Sequence, residues 1–301
     1  MIELLAEPWQ YGFFQRAMLE VAIVGVLCGL IGCFVVLRGL AFIGDALAHA
    51  VFPGVVLSYL AGRSILIGAF IFGGIAALAI GVLSRSKRVS EDSAIGVIFA
   101  AFFALGVVLI SRQTTIRRDL GSLLFGSVVG VSNEDVIATL IIGGIVILVL
   151  FLLLKEFTLV AFDATLATAL GYPVFWLDLV LLMLVSATIV VSLQTVGNIL
   201  ILALIVTPPA TARLLTDRLD RMLALSTAIA LGSGVVGLYL SYYARSAAGG
   251  TIVLTATACF LLALVFAPDH GLLASRLRSR HHVHHYHPAS EPADPAHKHD
   301  A

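Results

Sequence analysis

Charged residues are scarce in this sequence of 301 residues: Asp, Glu, Lys and Arg make up 12%, and the formal net charge is zero. A soluble domain carries about a quarter charged residues. Hydrophobic side chains account for 60% of the chain, and the mean hydropathy is +1.05. This composition predicts an all-α, polytopic protein embedded in a lipid bilayer. The lack of net positive charge leaves no electrostatic case for nucleic acid as a partner.

Lysine and cysteine are also rare, with three of each. None of the lysines lies in a Gly-x-x-x-x-Gly-Lys-Ser/Thr motif, so the chain has no phosphate-binding loop of its own, and any use of ATP would need another polypeptide. The cysteines lie in apolar runs and form no CxxC pair. This pattern favours small buried side chains over a redox or metal site.

Long apolar runs, by contrast, are abundant. A helix needs about 20 residues to cross a bilayer, and nine runs of the chain are near that length. Pro53 interrupts the second run, and Pro208 with Pro209 should loosen the end of the seventh, so we predict eight or nine transmembrane helices. The stretch 120–131 fits a re-entrant segment. The predicted spans are 17–37, 40–61, 65–84, 93–111, 135–154, 174–194, 197–215, 222–243 and 251–267.

The distribution of Arg and Lys among the short loops predicts the orientation, since cytoplasmic loops carry an excess of both. With nine spans, three basic regions fall on one side, which places the N-terminus outside and the C-terminus inside. A fourth basic region lies on the outer side, against the rule. The inner regions are 85–88, 213–221 and 276–280, and the outer one is 112–118.

The second apolar run contains an acid and an imidazole. Asp45 and His49 are four residues apart, so a helix places them one above the other on one face. Pro53 lacks an N–H and should leave the carbonyl of His49, four residues earlier, without its helical partner. One turn then offers carboxylate, imidazole and backbone ligands for a divalent cation. Since ionisable groups at membrane depth are costly, we predict a cation site here. The alternative is a polar pair that only packs helices together.

The loop between the fifth and sixth spans carries the signals of a short helix. Asp163 can cap its start, Gly171 can end it, and Pro173 prevents its continuation. Leu166 and Leu170 would then project from the cytoplasmic face between small residues. This pattern suits docking into the groove of a partner protein. A plain connecting helix is the alternative.

The chain changes character after residue 267. Residues 268–301 combine four prolines with eight histidines, seven of them between 281 and 299, and cannot bury a core, so we predict a membrane domain over 1–267 and a disordered cytoplasmic tail. Histidine-rich tracts bind borderline metals such as zinc, and an engineered tag is the alternative. The candidate metal-binding histidines of the tail are His281, His282, His284, His285 and His287.

Five stretches of the sequence, in order and at matching spacing, resemble the metal-ion permease family of ABC importers, which take up zinc, manganese and iron. The resemblance extends from about residue 10 to residue 267. Where the family has an acid and a proline, this chain has RSAAG at 245–249. The matching stretches are LRGLAFIGDALAHAVFPG at 37–54, EDSAIG at 91–96, LFG at 124–126, FD at 162–163 with ATALG at 167–171, and VTPPATAR at 206–213.

The resemblance implies a fold similar to the cobalamin-type importers. It also implies an assembly of two permease copies, two cytoplasmic ATPase subunits and an external metal-binding protein. Segment 162–172 would be the coupling helix in the ATPase groove, and Asp45 and His49 would lie on the metal path. We therefore expect a non-enzymatic, multi-pass subunit of the bacterial inner membrane, with no permanently bound cofactor.

The transported metal is predicted mainly from the histidine-rich tail, and the ligands agree. A symmetric dimer would join two Asp45–His49 pairs into four N and O ligands, which suit Zn²⁺. Together with the histidine-rich tail, this favours zinc, with Mn²⁺ or Fe²⁺ as the alternative within the same family. Two other classes stay open: a stand-alone secondary cation transporter, and a membrane-anchored metal sensor that works through its tail.

Overall fold

The computed structural model describes residues 6–86, 88–111 and 130–267, and the regular structure within these ranges is entirely helical. The predicted all-α class is therefore confirmed. A short 3-10 helix, Glu7–Gln10, precedes the first α-helix. The α-helices are α1 Gly12–Leu37, α2 Ile43–Ala50, α3 Phe52–Leu60, α4 Ile65–Ser84, α5 Glu91–Ser111, α6 Asn133–Leu152, α7 Leu154–Phe162, α8 Ala164–Ala169, α9 Val174–Val196, α10 Asn198–Leu215, α11 Leu219–Ala244 and α12 Ala248–Phe266.

Nine segments of the described chain are long and apolar enough to cross a membrane, with α2 and α3 together forming one of them, Ile43–Leu60. Each lies within a few residues of a predicted span, so the multi-span prediction is confirmed. The short helices α7 and α8 connect the fifth and sixth spans. The predicted re-entrant segment 120–131 lies outside the described residues except for its last two positions.

Helix α1 forms the centre of the bundle. It packs against α10 and α11 on one side, and against α6 and α9 on another. A second group forms around α4, which contacts α3, α5 and α9, and α9 also contacts α2. Helix α9 therefore joins the two groups. The outermost spans are α5 and α12: within one apolar stretch of 18 residues in each, 17% and 11% of residues are buried, against 72% in α1.

Small residues allow the closest helix contacts. Gly25 and Gly29 of α1 face α11, and a methyl group built on Gly29 would lie 2.8 Å from the Thr227 Cα. Gly54 of α3 and Gly68 of α4 pack against each other's backbone, with no room for a methyl group on either. Such contacts replace the hydrophobic driving force that is absent between helices in lipid.

The two adjacent prolines of the seventh span do not loosen its end, so that prediction is wrong. Pro208 and Pro209 both lie inside α10, which continues to Leu215. The Thr211 hydroxyl donates to the Thr207 carbonyl at 2.7 Å, which strengthens the turn after the prolines. The helix therefore passes through both prolines and ends a turn and a half later.

A close contact with α1 explains why α10 continues. Pro209 lacks an N–H, so the carbonyl of Ile205 loses its helical partner. That oxygen lies against Gly32 of α1, where a methyl group would be only 2.2 Å away. The glycine thus brings the α1 backbone close enough to cover the exposed carbonyl with Cα–H groups. Tertiary packing outweighs the local effect of the prolines.

Candidate metal site

The second span is broken at its middle. Helix α2 ends at Ala50, Val51 forms a turn, and α3 begins at Phe52 with Pro53 in its first turn. The Val51 N–H points to the carbonyls of both Leu47 and His49, at 3.2 Å from the former. The sequence predicted that the His49 carbonyl would be without a partner. In the structure, the Val51 N–H engages it weakly. The break keeps a polar turn of backbone inside the membrane domain.

Asp45 and His49 lie on one face of α2, and their side chains meet. His49 Nδ1 is 3.4 Å from Asp45 Oδ1 and 2.9 Å from the backbone oxygen of Asp45. A carbonyl can only accept, so this contact places the ring proton on Nδ1. The lone pair of Nε2 is then available to a metal, an arrangement usual for metal-binding histidines. The pair can thus offer one imidazole nitrogen and one carboxylate.

Aromatic rings of α5 flank the histidine. The His49 ring makes edge-to-face contacts with Phe99 and Phe103, at centroid distances of 5.3 and 5.5 Å. Phe52 packs on Phe103 from the start of α3. The side chain of His49 is 20% exposed, whereas that of Asp45 is 41% exposed. The rings hold the imidazole in place and leave the carboxylate open on the surface of a single chain.

A single described chain does not complete a metal site here. Within residues 6–86, 88–111 and 130–267, no group of three or more His, Cys, Asp or Glu side chains is placed to hold a metal ion. Two ligands are too few for the tetrahedral or octahedral shells of divalent metals. The assignment of Asp45 and His49 as metal ligands stays a prediction, and it requires ligands from elsewhere.

Asp178, the acid of the sixth span, belongs to a different group. It forms an ion pair with Arg38, which follows the end of α1. Glu91, the first residue of α5, lies close enough to interact electrostatically with both. The three charges thus connect the ends of α1, α5 and α9 that the predicted orientation places on the cytoplasmic side.

The short helix of the inner loop has the predicted local structure. Asp163 caps α8 by accepting the Leu166 N–H at 2.8 Å, and Gly171 has a φ of +83°. Leu166 and Leu170 are 47% and 61% exposed, whereas Ala167 between them is fully buried. Helix α8 is therefore anchored by its small residue and presents its leucines outward. Its role as a coupling helix stays a prediction.

Sequence reasoning missed one acid, Glu20 of α1. It is fully buried, and its Oε1 accepts a hydrogen bond from Thr139 of α6 at 2.8 Å. The signal was present, because Glu20 is an ionisable residue inside an apolar run, as Asp45 is. The predicted metal-binding histidines of the tail, 281 to 287, lie outside the described residues.

Known proteins resemble this chain over most of its length. The profile of the ABC 3 transport family matches residues 10–267. The manganese transport system membrane protein MntC of Halalkalibacterium halodurans is 46% identical over 270 residues, which cover 90% of this chain and 92% of that protein. The chelated iron transport system membrane protein YfeC of Yersinia pestis is 41% identical over 280 residues, covering 93% and 95%.

A solved structure extends the likeness to three dimensions. PsaBC from Streptococcus pneumoniae, determined in complex with a Fab, contains a chain that superposes with a TM-score of 0.80. The two sequences are 36% identical, and the match covers 92% of this chain and all of the other.

Proposed function

The chain belongs to the ABC 3 transport family, and on that basis we propose that it carries Mn²⁺ or Fe²⁺ inward past Asp45 and His49. Family membership gives the broader assignment directly: the chain is the multi-pass permease of a bacterial ABC importer for metal ions, and it is not an enzyme. Such a permease works with a separate ATPase and a substrate-binding protein. A stand-alone secondary transporter and a membrane sensor are therefore set aside.

Manganese and iron are preferred to zinc because two similar relatives are named for those metals. The ligand chemistry agrees, since two imidazoles and two carboxylates completed by water form a mixed N and O shell that Mn²⁺ and Fe²⁺ accept. Zinc is the second candidate. The observation that favours it is the histidine-rich tail at 281–299.

One observation carries the proposal: an acid and a correctly oriented imidazole lie together on a helix that breaks inside the membrane domain. The Nδ1 contact of His49 directs Nε2 away from its own backbone, and Asp45 is open beside it. A second copy of the chain would double the pair to four ligands across a twofold axis. Binding must also be weak enough for release, as in any conduction path.

Movement of the partner ATPase would reach the metal path through the inner loop. Leu166 and Leu170 project from α8, whose capping residue Asp163 and terminating residue Gly171 fix its ends. We assign these four residues to ATPase docking. Displacement of α8 would rock α9, which contacts both α2 and α4, and so alternate access to Asp45.

The test is uptake into liposomes that contain the permease with its ATPase and are supplied with the substrate-binding protein. We expect Asp45→Asn and His49→Ala each to lower ⁵⁴Mn²⁺ uptake by about 100-fold, because each removes a ligand from both copies at a desolvated site. Asp220→Asn, which alters an exposed acid in the first turn of α11, is the matched control and should transport normally.

Competition identifies the metal in the same assay. Excess Fe²⁺ should suppress ⁵⁴Mn²⁺ uptake, whereas an equal excess of Zn²⁺ should suppress it less. Stronger inhibition by Zn²⁺, together with ATP-driven accumulation of ⁶⁵Zn²⁺, would mean that the permease transports zinc rather than manganese. Normal uptake by both site variants in an assembled complex would remove Asp45 and His49 from the path.

A further inference from the structure

Glu20 lies in the outer half of α1, eight residues after the helix begins at Gly12. At a rise of 1.5 Å per residue, it is about 12 Å from the outer end of the helix. Its side chain is completely buried, among the spans α1, α6 and α9. A carboxyl group at this depth requires a compensating partner.

The hydrogen bonds around Glu20 leave half of the carboxyl group unsatisfied. Oε1 accepts from the Thr139 hydroxyl, but that same hydroxyl also lies 3.0 Å from the carbonyl of Asp135. Thr195 lies within hydrogen-bonding reach of the carboxyl group, but its hydroxyl proton is shared with the Ser192 carbonyl, which is 3.1 Å away. Oε2 is buried and has no donor among the described residues.

The nearest cationic side chain on α1 does not neutralise this group. Arg16 lies one turn outward, and its Nε donates to the carbonyl of Val131 at 2.9 Å. No ion pair joins it to Glu20 in the described structure. The neighbouring charge that does act on Glu20 is an acid, Asp135. Among the residues that the structure describes, an anionic Glu20 would therefore lack a counter-charge.

A pocket of about 180 Å³ shares one residue, Thr195, with the surroundings of Glu20. Its wall includes Glu134 and Asp135 in the first turn of α6, together with Ser64 and Thr195. Thr195 also adjoins Glu20, so one residue separates the pocket from the buried carboxyl group. The pocket can collect a cation and pass it to Glu20.

We propose that Glu20, with the hydroxyl oxygens of Thr139 and Thr195, forms an outer site for a hard divalent cation, loaded through the pocket of Glu134 and Asp135. Carboxylate and hydroxyl oxygens, completed by water, suit Mn²⁺, Mg²⁺ and Ca²⁺ rather than softer metals. The cation supplies the partner that Oε2 lacks. The site lies outward of Asp45 and His49, and its role in staging the cargo rests on the proposed function.

The experiment measures Mn²⁺ binding by electron paramagnetic resonance of the free ion. The full chain is purified in nanodiscs and carries Asp45→Asn and His49→Ala, so that the proposed site on the metal path is removed. Adding Glu20→Gln, which keeps the size and the Thr139 bond, should weaken binding at one site about tenfold or more. Ca²⁺ should displace Mn²⁺ from this site. Asp220→Asn in the same background should bind like its parent.

Binding unchanged by Glu20→Gln would overturn the proposal and assign the carboxyl group to packing alone. If that variant does not give a monodisperse protein, Thr139→Val decides: binding weakened several-fold supports the site, and unchanged binding overturns it. The proposed function is tested separately by uptake. Loss of uptake in the Asp45 and His49 variants, with no effect of Glu20→Gln on Mn²⁺ binding, would leave the function standing and remove only the outer site.

Discussion

Single residues set how closely the spans of this permease approach one another. Gly32 of α1 is the clearest case, because an added methyl group would lie 2.2 Å from the Ile205 oxygen and 2.6 Å from the Pro209 side chain. Both of those atoms belong to the rigid, proline-containing part of α10. The helices could accept a larger residue only by moving apart.

We expect Gly32→Ala to destabilise the folded membrane domain by about 1–3 kcal/mol, the usual effect of overpacking. The matched control is Gly232→Ala, since Gly232 lies in the middle of α11 with no atom within 4 Å of an added methyl group. Denaturant unfolding in mixed micelles measures both. Equal stability of the two variants would mean that α1 and α10 are less tightly packed than the structure indicates.

Prediction from sequence at this scale depended on whether a residue's partner is local. Asp45 and His49 could be paired because they are four residues apart on one helix. Glu20 carried the same signal of an acid in an apolar run, but its neighbour Thr139 is 119 residues away. Asp178 could not be assigned to Arg38 for the same reason, because only the fold brings them together.

At the scale of whole elements, hydropathy predicted the helices well and the prolines poorly. The spans follow from lipid, which requires each segment to satisfy its own backbone hydrogen bonds over the bilayer thickness. Pro53 coincides with a real break between α2 and α3, whereas α10 continues through Pro208 and Pro209. The difference lies in the contact with α1, which sequence alone does not give.

The ion pair between Arg38 and Asp178 links two such elements at the inner side. Arg38 begins the loop that leads to α2 and Asp45, and Asp178 lies in the first turns of α9, just after the segment with α8. Force on α8 can therefore reach the metal path through this pair. With exposed fractions of 18% and 31%, the two charges are partly shielded from water.

We expect Arg38→Gln or Asp178→Asn to lower Mn²⁺ uptake about tenfold while the ATPase continues to turn over, because each leaves a partly buried charge unpaired. The exchange Arg38→Asp with Asp178→Arg should recover part of the loss, which a double-mutant cycle would quantify. The exposed pair Arg213–Asp217, whose charged atoms are 3.3 Å apart, joins the last turns of α10 to the connection that follows it; this pair is the control and should tolerate the same exchange. If the exchanged pair lowers Mn²⁺ uptake as much as its two single variants combined, the proposed link between Arg38 and Asp178 is wrong.

At the scale of the whole molecule, the exposed Asp45 side chain is the reason we propose a second copy. This acid is 41% exposed on one chain, on a helix of a segment long and apolar enough to cross a membrane. A charged group in lipid costs several kcal/mol, whereas a twofold partner would place another Asp45–His49 pair opposite it. The same axis would supply the ligands that one chain lacks.

Cross-linking tests this arrangement directly. The background is Cys259→Ser, and the other two cysteines, Cys28 and Cys33, are buried. In this background Hg²⁺ should bridge two copies of Asp45→Cys into a stable dimer, because soft thiolates from both copies can bind one ion. Leu254→Cys is the control: it is 69% exposed on α12, which packs against α10 and α11 on another part of the bundle. We expect Hg²⁺ to leave that variant monomeric on a non-reducing gel. Dimers from Leu254→Cys but not from Asp45→Cys would place the twofold axis at α12. The Asp45 side chains of the two copies could then not bind the same metal ion.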